Sequence, residues 1–165
     1  MEEKVKYNIG SGGDIIEGYV SVDLYANADI KDDITKLTTI KDNSVDEVLT
    51  THVLEHLSDK DVFPAMYSIY RILKPGGEWL IEVPDLIWVL KDFMDTPDQN
   101  RWGWKLQTIF GLQCHNGEYH RTGFSDWRLG QMLKEVGFTN IQIETSFSEH
   151  YNQGVINAIV VKPNG

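Results

Sequence analysis

The chain has 165 residues, 41% hydrophobic and 24% charged, which fits one domain spanning 1–165 with a single core and excludes a disordered or fibrous class. Twenty-five acidic residues against fifteen basic ones give a formal charge of −10, with no Lys/Arg cluster to relieve it, so bulk binding to nucleic acid or an anionic membrane is disfavoured. Cys114 is the only cysteine, which excludes an intrachain disulfide and suggests a reducing, cytoplasmic setting. The opening MEEKVKYNIG does not read as a secretory signal, and no apolar run is long enough to span a bilayer. Nothing in the sequence fixes an oligomeric state.

In chain order, KVKYNI predicts a first strand and YVSVDL a second. Only five residues separate Gly13 from Tyr19, although parallel strands normally need a crossover of about a dozen residues or more. The first helix is therefore expected to be reduced to a turn. ADIKDDI is a short third strand ending in acids, and VDEVLTTHV is a buried fourth. KDVFPAMYSIYRIL carries Val62, Met66, Ile69, Ile72 and Leu73 at helical spacing, and KPGG stops that helix.

EWLIEVPD is a fifth strand, and DLIWVLKDFM a helix with Asp85 as its cap. Residues 96–121 have weak periodicity and are rich in Trp, Gly, His and polar residues, as a lid or substrate-facing insertion would be. SDWRLGQMLKEVGF is a helix starting near Ser125 or Asp126 and stopped by Gly137. TNIQIETSF and GVINAIVVKP close the chain as an antiparallel pair. The fold class expected is α/β: a Rossmann-like, mostly parallel sheet with helices on both faces and an antiparallel C-terminal strand pair. Ligands of such sheets lie beyond the carboxyl ends of the strands, where NIGSGG sits.

Gly10, Gly12 and Gly13 let backbone N–H groups approach a ligand closely. A dinucleotide fingerprint would need a third glycine at position 15, which is Ile15, and no G-K-[ST] follows, so phosphate cradling is poorly supported. Three more features fall in order: Asp23 ends the second strand, DDI follows, and THVLEHL leaves the fourth strand. With RILKPGGEWLIEVPD, the stretch from Val5 to Asp85 resembles the class I S-adenosylmethionine (SAM)-dependent methyltransferase family, with a weaker echo in HRTGFSDWRLGQMLKEVGFTNIQI.

The resemblance implies SAM as cofactor. It implies that Gly10, Ser11 and Gly12 face its methionine part and that Asp23, with Leu24 beside it, binds the ribose hydroxyls. Asp33 and Ile34 would flank adenine, with Asp32 as a substitute, and Thr51 and His52 would border the sulfonium. Independently, a carboxylate at a strand end suits a vicinal diol because it can accept two hydrogen bonds side by side. The bland alternatives are a solvated turn acid for Asp23 and helix capping before TKL for Asp32 or Asp33. The sequence departs from the family in having Asn8 where an acid is common, and in its shortened glycine turn.

HVLEH, His52 to His56, matches the inverted zinc-protease signature, whose histidines must sit one helical turn apart. Here it follows a strand, with Thr50, Thr51 and Val53 favouring extended structure, so a zinc peptidase is a remote alternative. His56 could simply bond nearby backbone. CHNGEYHR gathers Cys114, His115, Tyr119, His120 and Arg121, but its spacing is no recognised tetrahedral pattern, so no metal ligand set is expected. It reads equally as a structural loop or as a substrate-facing wall with His120 or Tyr119 as base. His120 and His56 are the catalytic candidates. Trp102, Trp104 and Trp127 read as core or lid packing rather than a stacking platform.

The function expected is methyl transfer from SAM to a small molecule, such as a sugar or a metabolite precursor. The alternative is a non-catalytic protein of the same fold that binds SAM, its demethylated product or a nucleotide as a sensor or partner subunit.

Overall fold

The computed structural model describes residues 4–164. Seven strands form one sheet in the order β3-β2-β1-β4-β5-β7-β6. They are β1 (Lys6–Ile9), β2 (Val20–Asp23), β3 (Ile30–Lys31), β4 (Val45–Thr51), β5 (Leu73–Pro84), β6 (Thr139–Ser148) and β7 (Gln153–Val161). β1 through β5 pair in parallel, and β7 runs antiparallel to both β5 and β6. This is the Rossmann-like sheet with a terminal antiparallel pair that the element order predicts.

Alternation along the strands separates two unlike faces. Ile9, Val22, Val48, Trp79, Ile81 and Val83 turn to one side, where they form a single buried cluster with α1 (Asp59–Ile72) and α5 (Asp126–Val136). Met66, Ile69 and Ile72 of α1 and Leu129, Leu133 and Val136 of α5 fill it, at the helical spacing visible in the sequence. The alternate residues of β1, β2 and β4 are largely polar. Lys6 pairs with Glu47 at 3.0 Å, and the Tyr19 hydroxyl donates to the same carboxylate.

That polar face coincides with the missing helix. Residues 10–19, between β1 and β2, contain turns and bends only, as their length requires. The helical cover expected on both faces is thus uneven, with the two longest helices together on the apolar side.

The helix ends follow their signals. Asp85 accepts from Ile87 N and Trp88 N at the start of α2 (Leu86–Asp95), Ser125 Oγ accepts from Arg128 N, and Gly137 closes α5 in a left-handed conformation. Residues 96–121, expected as a lid or substrate-facing insertion with weak periodicity, hold two short helices, α3 (Asp98–Arg101) and α4 (Trp104–Phe110). Weak periodicity hid them because α3 has no buried residue and α4 none either. Of the core or lid packing expected for the tryptophans, the core is excluded for Trp127, which is 72% exposed; Trp102 packs edge-on against Phe93, and Trp104 borders a cavity. No helix among the described residues is long and apolar enough to cross a membrane.

One buried polar contact tests the packing between β4 and β5. Trp79 is fully buried, and its indole N–H donates to Thr50 Oγ1 at 3.0 Å. Thr50→Val keeps the shape and strands that donor, so it should cost about 1–3 kcal/mol in urea denaturation. Trp79→Phe in the same background should cost less than the sum of the two single changes; additive losses would mean that the hydrogen bond contributes nothing.

Candidate functional site

The carboxyl ends of β1, β2 and β4 surround a cavity of about 560 Å³. Its floor begins at Ile9 and Gly10, where the chain leaves β1 and both Gly10 N and Ser11 N donate to Val22 O. Gly10 has φ +72°, and a Cβ there would come within 2.5 Å of Val53 Cγ2. Only glycine fits both the angle and the space.

Asp23 ends β2 and is 9% exposed. Its Oδ2 accepts from Gly12 N at 2.9 Å, and its Oδ1 from Tyr25 N and Ala26 N at 2.7 Å each. The carboxylate therefore ties the glycine turn to the loop after β2. Leu24, Asp33 and Ile34 also line the cavity. Asp33 Oδ1 accepts from Thr35 N and Thr35 Oγ1, and Asp32 is bound likewise by Thr39; both acids hold turns, since no helix starts at residues 34–40 to be capped.

Two residues of the expected set stand apart. Ser11 is buried with its hydroxyl unpartnered and does not line the cavity, nor does Thr51, which stays within β4. His52 and His56 do line it. HVLEH yields only a short 3₁₀ turn at Leu54–His56, which bears out the reading that too little helix follows the strand to present two histidines together.

His52 itself has φ +53° and stands between two acids, with Nδ1 3.1 Å from Glu55 and Nε2 3.2 Å from Glu82. Burial alone would lower its pKa, but these two carboxylates raise it to about 9, so the ring is cationic near neutrality. Tyr151 stacks against it at 3.8 Å between centroids.

A second cavity, of about 220 Å³, shares His52, His56 and Glu118 with the first. His120 lines this smaller cavity rather than the larger one, with Glu55, Trp104, Tyr151 and Gln153. Glu55, Glu82, Tyr151 and Gln153 were missed from sequence. Glu55 lies inside the quoted motif, and Glu82 neighbours Thr51 across β4 and β5, but neither position has a spacing signal. Segment 96–121 walls both spaces, through Glu118 and Arg121 in the larger and Trp104 to His120 in the smaller.

The fold has close counterparts. A SAM-dependent methyltransferase from Methanosarcina mazei matches with TM-score 0.68 at 15% identity, over 100% of this chain and 95% of that one. One from Archaeoglobus fulgidus matches with TM-score 0.65 at 18% identity, over 96% and 86%. The 1,6-didemethyltoxoflavin-N1-methyltransferase of Burkholderia thailandensis, solved with 1,6-didemethyltoxoflavin and S-adenosylhomocysteine, matches with TM-score 0.64 at 14% identity, over 97% and 71%. A search among curated proteins finds no match. Residues 12–81 match a family model described as a methyltransferase domain. Within that stretch the chain carries a methyltransferase-domain sequence pattern, and over nearly its whole length it has the fold of SAM-dependent methyltransferases.

SAM is the cofactor that the methyltransferase-domain match points to, and the larger cavity suits it. Its volume is that of a ligand pocket, and Ile9, Ile34, Val53 and Leu57 supply apolar wall. Five acids, Asp23, Asp32, Asp33, Asp61 and Glu118, line it against Lys36, Arg121 and the cationic His52, a net negative balance that attracts a sulfonium cation and repels a diphosphate.

The Gly10 geometry predicts a loss of stability. Gly10→Ala should cost at least about 1–2 kcal/mol from the left-handed angle alone, with the Val53 contact added. Gly10→Ala with Val53→Ala should recover the contact part and leave the rest; full recovery in thermal unfolding would show that the backbone angle imposes no strain.

Proposed function

We propose that this methyltransferase uses SAM in the larger cavity to methylate a small molecule seated in the smaller one. The carrying observation is the shared wall: His52, His56 and Glu118 border both spaces, so ligands in the two would meet there. When bound, SAM supplies a methyl group made electrophilic by its sulfonium. The chain's part is to hold both partners and keep water out, which is where most of the acceleration of such a transfer resides.

In this reading, the turn from Gly10 to Gly12 faces the methionine part, and Asp23 with Leu24 takes the ribose. A carboxylate offers about four acceptor positions. Three are occupied by backbone N–H groups, so binding both ribose hydroxyls requires one of those bonds to be shared. Asp33 and Ile34 would border adenine, and His52 the sulfonium. The acceptor would lie against His56, His120 and Tyr151, with segment 96–121 closing over it. Support for a small acceptor comes from the modest size of the second cavity. Relatives of this fold were also solved with 1,6-didemethyltoxoflavin or phosphomonomethylethanolamine beside S-adenosylhomocysteine.

The test is calorimetry with S-adenosylhomocysteine, followed by a product-release screen of small acceptors. Asp23→Ala should weaken binding by about 1.5–3 kcal/mol, as for a lost hydrogen bond to a charged group; unchanged affinity in the folded variant removes the ribose assignment. Turnover confined to protein or RNA substrates would overturn the small acceptor, and tight binding with no transfer at all would favour the sensor.

A further inference from the structure

HVLEH divides into two unlike halves once folded. His52 is engaged by Glu55 and Glu82, so it does not join His56 as a ligand pair. Glu55 and His56 meet instead a residue from far along the chain. Glu55 O accepts from Arg121 N at 2.8 Å and from Thr122 N at 3.2 Å, and this backbone pairing sets His120 beside them. One ligand atom from each of Glu55, His56 and His120 lies within 4.8 Å of the others.

A second observation points to what belongs there. Glu55 is 1% exposed, and both its carboxylate oxygens are buried without a hydrogen bond. Its Oε1 lies 3.1 Å from His52 Nδ1 and 4.0 Å from His56 Nε2, and His120 completes the cluster. A buried carboxylate with unfilled acceptor positions is costly unless a cation completes it. His56 is also arranged as a ligand: its Nδ1 lies 3.3 Å from Tyr119 O, the outer hydrogen bond that fixes a metal-binding imidazole and leaves Nε2 free.

We propose that Glu55, His56 and His120 form a binding site for a divalent transition-metal ion, open toward the smaller cavity. Two imidazoles and one carboxylate suit zinc and its neighbours, and three protein ligands leave a position for water or for an acceptor oxygen or nitrogen. Bonds of about 2.0–2.2 Å place tetrahedral ligands about 3.4 Å apart, so the cluster closes on an ion by small side-chain movement. His52 acts as a positioning residue, holding the Glu55 carboxylate at its Oε1. The identity of the fourth ligand rests on the methyltransferase reading; the metal site does not.

The full chain, stripped with chelator, is titrated with Co²⁺ alone by visible absorption and with Zn²⁺ alone by calorimetry. One equivalent should bind, with cobalt bands of nitrogen and oxygen coordination. His120→Ala and His56→Ala should each weaken Co²⁺ binding at least tenfold, while His115→Ala, outside the cluster, should not. Each variant is checked for native circular dichroism. Absence of saturable binding by the parent chain, or binding that survives both histidine changes, overturns the site. S-adenosylhomocysteine calorimetry on the stripped protein keeps the two conclusions separate: cofactor binding without metal binding removes this site alone, and metal binding without cofactor binding removes the cofactor assignment alone.

Discussion

The Asp23 carboxylate is the constraint on which the cofactor end of the sheet depends. In a sheet of this kind a helix normally follows the first strand and fixes the glycine turn by packing. Here residues 10–19 contain no helix, and beside backbone bonds from Gly10 N and Ser11 N to Val22 O, the Asp23 carboxylate ties the turn, through Gly12 N, to the loop after β2, through Tyr25 N and Ala26 N. A residue that would otherwise only meet the ligand thus also builds the wall behind it. Loss of cofactor affinity on altering Asp23 therefore combines a direct contact with the shape of the turn.

A second electrostatic chain organises the border between the cavities. Glu82 and Glu55 flank His52, and Glu55 faces His56 and His120 beyond it. Burial works against the charges of His52 and Glu55, and each is retained because the other offsets its desolvation. The left-handed backbone at His52 belongs to the same arrangement, since it turns the chain out of β4 and into the short 3₁₀ turn that carries Glu55.

Sequence carried the strands, α1, α2 and α5 because their signals are local: alternation, apolar residues at helical spacing, Asp85 and Ser125 at helix starts, Gly137 at a stop. The missing helix was legible for a simpler reason, chain length. Much of the lining of the larger cavity was legible as well, since Gly10, Asp23, Asp33 and His52 stand at ends of elements, where the fold class places ligands. Ser11 and Thr51 do not line the larger cavity: Ser11 is buried within the glycine turn, and Thr51 stays within β4, where successive side chains take opposite faces. His120 beside Glu55 could not be read at all, for that approach depends on backbone bonds between Glu55 and residues 121 and 122. Trp127 misled because aromatic character was taken for burial.

The short link between β1 and β2 also bears on how the chain folds. A parallel pair is usually a long-range contact whose loop must close before the pairing stabilises anything. Each halving of a loop lowers that entropic cost by only about 0.6 kcal/mol, so the gain in stability is slight. The gain in locality is larger: β1 and β2 pair in register from Tyr7 with Val20 to Ile9 with Val22 across a span close to that of a hairpin. We hypothesise that this pair forms early and templates β4 on its free side. High φ-values at Val20 and Val22, with low ones in β6, would bear that out, and the reverse pattern would place the nucleus at the antiparallel edge.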